Sequence, residues 1–250
     1  MKKIISFIFI IFLISCSDIV SNYQEQEEIL DYEEYLYQGW NAFEAVNLDE
    51  ISQDSSSTYY YNFALDMFNV SLLAIASEFD SQGLIGNVSK SYNGIGWSQL
   101  YYASEFLEPS MHQTRDSLRQ QSKISFDSAY VNLNDDSQLL TTKDRCDTYA
   151  GLAYINYYLG LDDLDFESSL EASEALLNLD SDYVFIHDEF NFENIRYLRG
   201  KIYLLQDSLA DACEELNYIE SIACECSDNL DINVILDCFN QFVNPFENGD

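Results

Sequence analysis

Six cysteines and two histidines hold most of the side-chain chemistry open to this chain of 250 residues. Four of the cysteines, Cys213, Cys224, Cys226 and Cys238, fall close together near the C-terminus. Thiols grouped in this way can bridge, bind zinc or stay reduced in a core. Structural zinc sites usually separate paired ligands by two or more residues. Cys224 and Cys226 are separated by one, which makes zinc the weakest of the three readings. Cys146 lies in a helical stretch and reads as a buried free thiol. With only His112 and His187 there is little material for a histidine-based site. His187 precedes Asp188 and Glu189, a grouping that could ligate a metal, but a hydrogen-bonded loop histidine is the plainer account. Asp162, Asp163, Asp165 and Glu167 lack the glycine that turns an EF-hand loop, and read as the capped start of a helix before Phe166. The sequence holds no Gly-x-Ser-x-Gly elbow, phosphate-cradling glycine loop or His-Glu-x-x-His pair. These residues predict a non-enzymatic protein without metal or cofactor.

The N-terminus carries a different kind of chemistry. Lys2 and Lys3 precede the run Ile4 to Ile14, apolar but for Ser6. Spanning a bilayer takes about 20 apolar residues, so the run fits an export signal rather than an anchor. Leu13-Ile14-Ser15-Cys16 resembles the lipobox of bacterial lipoproteins. That resemblance implies cleavage after Ser15 and acylation of Cys16, whose soft sulfur accepts a diacylglycerol group. Each buried acyl carbon contributes about 0.8 kcal/mol, and more than one chain holds a protein durably at a membrane. The expected address is the bacterial cell envelope, at the outer membrane. In that oxidising compartment disulfides are the natural state of the C-terminal cysteines, as Cys213 with Cys224 or Cys226 with Cys238.

Net charge is −33, with 44 acidic residues against 11 basic ones. Loss of Lys2 and Lys3 with the leader takes it to about −35. Such a surface repels phosphate backbones and anionic headgroups, so nucleic acid is an improbable partner. Hydrophobic residues at 47% and aromatics at 15% are ample for a core. Only 2 prolines and 9 glycines favour long regular elements over turn-rich β structure. The 19 tyrosines, with runs at 59–61, 101–102 and 157–158, suit either repeat cores or a binding face.

Whatever chemistry these residues do, helices must position it. Residues 16–28 are polar and acidic and read as a tether. From Ile29 apolar residues recur at three to four, and the pattern repeats at 59–77, 90–106, 117–133, 143–159, 166–179, 192–207 and 209–221. Eight helices are expected, and they pair. Four first helices, LYQGWNAFEA, YNGIGWSQLYYA, YAGLAYINYYLG and YLRGKIYLLQ, each carry a small residue in mid-helix: Gly39, Gly96, Ala153 and Gly200. Their partners carry Ala64, Phe68 and Ser71; Ser122, Phe126 and Ala129; Ser169, Ser173 and Leu176; Ala212, Leu216 and Ile219. This pattern resembles the tetratricopeptide repeat. It implies an all-α, right-handed solenoid of about four helix-turn-helix units over residues 29–221, followed by a Cys-containing extension at 222–250. The unit spacings of 57, 57 and 47 residues exceed the tetratricopeptide 34, which puts the excess in loops. The segment 182–203 reads as the link into the last unit. Gly96 is the expected close-contact position, and Gly94 is expected to lie free of it, near the helix start.

The resemblance further implies a protein-protein interaction scaffold at a membrane, whose groove takes another envelope protein or peptide. A component of an outer-membrane assembly machinery and a glycan- or nutrient-capture lipoprotein beside a transporter are the alternatives.

Overall fold

Helix packing begins from the computed structural model, which describes residues 31–47, 56–77, 85–106, 108–134, 140–188, 190–220 and 231–242. The leader, the tether and Cys16, Cys224 and Cys226 lie outside them. Nine α-helices are present among the described residues, and no strand. They are α1 (Tyr32–Asn47), α2 (Ser56–Ser77), α3 (Ile85–Ser104), α4 (His112–Val131) and α5 (Thr142–Gly160). After these come α6 (Glu167–Leu179), α7 (Phe192–Leu205), α8 (Leu209–Leu216) and α9 (Ile232–Phe239). The expected all-helical class and the first eight helices are present. The ninth has no counterpart in the sequence reading.

Local chemistry sets several of the boundaries. Thr141 caps α5 by accepting from the Asp144 amide at 3.2 Å, while its own amide donates to Asp144 Oδ2 at 2.8 Å. This reciprocal box satisfies two donors that a helix start leaves unpaired. Asn191 and Asn194 form the same device at α7. The Asp165 carboxylate accepts from Glu167 N at 3.4 Å, although the first residue of that turn is Phe166, which offers no side-chain cap.

Neighbouring helices pair, α1 with α2, α3 with α4, α5 with α6 and α7 with α8. First helices also touch one another across pairs: α1 meets α3, α3 meets α5, and α5 meets α7. The same contacts recur at matching positions. Ser122 Oγ donates to the Gly96 carbonyl at 2.9 Å, and Ser169 Oγ to the Ala153 carbonyl at 2.7 Å. Trp97, next to Gly96, donates through Nε1 to the Asp147 carbonyl at 3.2 Å. Tyr154, next to Ala153, donates to the Asn194 carbonyl at 3.0 Å. Asp147 and Asn194 each precede the next small residue by six. One pair therefore holds the next through the same bond twice over.

The glycines explain how the helices come so close. A Cβ on Gly39 would lie 2.6 Å from the Phe68 ring, and one on Gly94 would lie 2.4 Å from the same ring. Phe126 stands likewise between Gly96 at 2.8 Å and Gly151 at 2.1 Å. Each ring from a second helix is thus clasped between its own first helix and the next one. Burying a phenylalanine contributes roughly 2–3 kcal/mol, and its edge-to-face contact with Trp40 or Trp97 adds about 1 kcal/mol more. Two glycines cost about 2 kcal/mol in helix propensity, so packing wins.

Two expectations need correction here. Gly94 is not near a helix start, because α3 begins at Ile85, and it is as crowded as Gly96. Gly151 is a second contact glycine that the repeat pattern does not single out. At Gly200 a Cβ would lie 3.0 Å from the Phe239 ring and 3.5 Å from the Ala212 carbonyl. Phe239 belongs to α9, which closes the far end over Tyr197, Leu216 and Ile219.

Candidate functional site

The face formed by the first helices is where a partner is expected, and the chain itself occupies it. Residues 182–188 and 190–192 fold back as a short hairpin. Phe185 N donates to the Phe190 carbonyl and Phe192 N to the Tyr183 carbonyl, both at 2.8 Å. Phe185 stacks on Trp97 of α3 with ring centres 4.7 Å apart and meets Trp40 and Phe43 of α1 edge-on. Phe190 packs on Trp97 and on Tyr154 of α5. Tyr183, Phe185 and Phe190 are all at most 1% exposed. Burial of three aromatic side chains makes this hairpin part of the core. The sequence reads the segment only as a link, although its aromatics alternate at 183, 185, 190 and 192.

Polar bonds pin the hairpin at three points. The Tyr183 hydroxyl donates to Asp147 Oδ1 at 2.6 Å. The Tyr101 hydroxyl donates to the Asp188 carboxylate. His187 lies parallel to the Trp40 indole, 3.8 Å between centres, with Nδ1 2.6 Å from Glu44 Oε1. His187 is therefore a hydrogen-bonded loop histidine, as the sequence suggests. Burial, set against the Glu44 contact, holds its pKa below the ordinary value, so the ring is neutral at pH 7 and Nδ1–H donates to Glu44.

Next to His187 the same face opens into a cavity of about 180 Å³. α3 supplies Ser89, Lys90 and Asn93 to it, and α5 with its cap supplies Thr141, Lys143, Asp144 and Asp147. Lys90 Nζ is 3.7 Å from Asp144 Oδ2. Burial pushes the Asp147 carboxyl up to about 7, although the Tyr183 hydroxyl and the nearby Lys143 charge both favour its ionised form. Sequence reasoning does not single out Lys90, Asn93, Lys143 or Asp147. Their one advance signal is that so acidic a chain has few lysines, and two of them fall near the starts of consecutive first helices.

The cysteines divide. Cys146 is a free, fully buried thiol, and burial pushes its pKa up to about 12, which leaves it unreactive. Cys213 is also free, so the expected bridge from it is not formed. It sits 6% exposed in the α7–α9 cluster, and Asn217 Nδ2 approaches its sulfur at 4.0 Å. α8 packs it inward, which explains the difference from the sequence reading. Cys238 is disulfide-bonded, and its partner lies outside the described residues. Among the described residues no group of three or more His, Cys, Asp or Glu side chains could hold a metal. His112 is exposed at the head of α4. Among the tyrosines, Tyr61, Tyr101 and Tyr157 are core residues and Tyr59 is 62% exposed.

No protein family, curated protein or solved structure matches this chain. Among the described residues no helix is long and apolar enough to cross a membrane.

Proposed function

We propose that this chain is a non-enzymatic lipoprotein of the bacterial envelope, a tetratricopeptide-like solenoid that holds another envelope protein near the membrane. The observation that carries the solenoid reading is the recurrence of one contact. An aromatic beside the small residue of one first helix donates to the carbonyl six residues before the small residue of the next, at Trp97 and again at Tyr154. Repeat arrays are built from such nearest-neighbour contacts, and they present extended surfaces to protein partners. Cys16 supplies the lipid, and residues 16–28 the tether. Because the hairpin fills the inner face, the outer helices offer the partner surface. Leu73 on α2 and Ile124 and Val131 on α4 are apolar there and 66–72% exposed.

The test is acyl labelling combined with crosslinking in intact envelopes. The parent should take up an acyl label and give a discrete adduct with one envelope protein. Cys16→Ala should lose the label, leave the membrane fraction and lose the adduct. Membrane retention of the unlabelled variant after a salt wash, or no adduct from the labelled parent, overturns the reading.

A further inference from the structure

Beside the hairpin, the cavity is bounded by Trp40 of α1, Lys90 and Asn93 of α3, Lys143 and Asp147 of α5, and His187. Three features distinguish it from a packing gap. The first is charge. Only four lysines lie among the described residues, Lys90, Lys123, Lys143 and Lys201, and two of them line this one cavity. Lys143 makes no ion pair within 4 Å among the described residues. In a chain of net charge −33, two lysines beside the two carboxyl groups of Asp144 and Asp147 make this cavity far less acidic than the rest of the chain, and Lys143 is its unpaired cation.

The second feature is an unmet acceptor. Asn93 is 4% exposed, and its Oδ1 has no hydrogen-bond partner among the described residues. Native proteins leave few such atoms, because each costs the desolvation of a polar group. The third is rigidity. Trp40 and His187 brace one another face to face, and the hydroxyl of the buried Tyr183 holds Asp147. The walls are set before any ligand arrives, which lowers the ordering cost of binding.

We propose that this cavity binds a small monocarboxylate with a hydrogen-bond donor beside its carboxyl group, an α-hydroxy or α-amino acid. Lys143 and Lys90 take the carboxylate. The neighbouring hydroxyl or amino group donates to Asn93 Oδ1, and the Trp40 and His187 rings pack on the carbon skeleton. Asp144 and Asp147 line the same space, so a phosphate or dicarboxylate is disfavoured by repulsion, whereas a single negative charge is offset by Lys143, Lys90 being already paired with Asp144. The site needs no protein partner, and titration of the purified full chain decides it whatever crosslinking finds.

Calorimetric titration with L-lactate and glycine, against propionate and L-lactamide, is the experiment. Propionate keeps the charge without the donor, and lactamide keeps the donor without the charge. L-lactate or glycine should bind about tenfold or more tighter than either control, as a lost charge-assisted hydrogen bond implies. Lys143→Gln should weaken that binding by about tenfold to a hundredfold. Asn93→Leu should remove the preference for lactate over propionate. Arg145→Gln, two residues along α5 and outside the cavity, should change nothing, with helicity by circular dichroism confirming that each variant folds. Absence of carboxylate binding, equal affinity for lactate and propionate, or undiminished binding by Lys143→Gln overturns the proposal.

Discussion

Gly94 and Gly151 carry the clearest case of a residue chosen for what it lacks. A methyl group on either would stand 2.4 Å or 2.1 Å from a phenylalanine ring that is itself fully buried. Alanine would gain about 1 kcal/mol in helix propensity, but overpacking of this kind costs roughly 1–3 kcal/mol. Gly94→Ala and Gly151→Ala should therefore lower the urea midpoint. Pairing Gly94→Ala with Phe68→Leu should recover part of the loss, because the shorter side chain vacates the space. A double-mutant cycle reads this directly; a Gly94→Ala variant as stable as the parent would mean that Phe68 does not sit where the helices clasp it. The repeat pattern points to Gly39, Gly96, Ala153 and Gly200, because it matches each first helix to its own partner. It passes over Gly94 and Gly151, which serve the ring of the preceding pair. That contact depends on how pairs stack, which no local spacing encodes. The small-x-small steps at 94–96 and 151–153 are the trace it leaves in the sequence.

Helices were the legible elements and the hairpin was not. A helix start such as Thr141 to Asp144 announces itself by capping chemistry within four residues. The hairpin is held by the distant rings of Trp40, Phe43 and Trp97 as well as by Tyr154, and its own ladder has a single isolated bridge, Val184 with Asn191. Its attachment to α5 has a measurable signature. Asp147 is pushed from 3.8 to about 7 in the folded chain, chiefly by burial, with Asp144 adding to the rise and Tyr183 and Lys143 opposing it. A folded value above the unfolded one means that the folded chain holds a proton the unfolded chain releases. The stability that Asp147 contributes is complete below about pH 4 and is lost as pH rises through about 7. Asp147→Asn keeps an acceptor for the Tyr183 hydroxyl and cannot ionise. It should match the parent near pH 4 and become progressively more stable than it up to pH 7, by about 1 kcal/mol or more. Urea midpoints across that range test this, and a difference that does not change with pH would show that Asp147 is not buried against Tyr183.

At the scale of the molecule, charge works against the stacked helices. With 44 acidic side chains and 11 basic ones, most of the surface repels itself, and folding brings those charges closer than they stand in the unfolded chain. The compensating ion pairs are concentrated at one end, where the buried Glu215 of α8 accepts from Arg196 at 2.8 Å and from Arg199 at 2.6 Å. Arg199 also reaches Ser173 of α6 at 3.1 Å, so this one group ties three helices together. The helices before α6 have no comparable network among the described residues, and the Lys90–Asp144 and Lys123–Asp127 pairs there are partly exposed. Exposed pairs of this kind contribute little, about 0–1 kcal/mol. Screening length falls from about 30 Å at 0.01 M salt to about 3 Å at 1 M, so added sodium chloride should relieve the repulsion. The urea midpoint should rise steeply over the first few tenths molar and then level off as neighbouring charges become screened. Chloride is the salt to use, since sulfate also strengthens apolar burial and would raise the midpoint of any protein. Urea is the denaturant to use, since guanidinium is itself a salt. A midpoint that falls with salt would mean that paired charges dominate the fold, and the Arg196–Glu215–Arg199 group would then be the place to look for them.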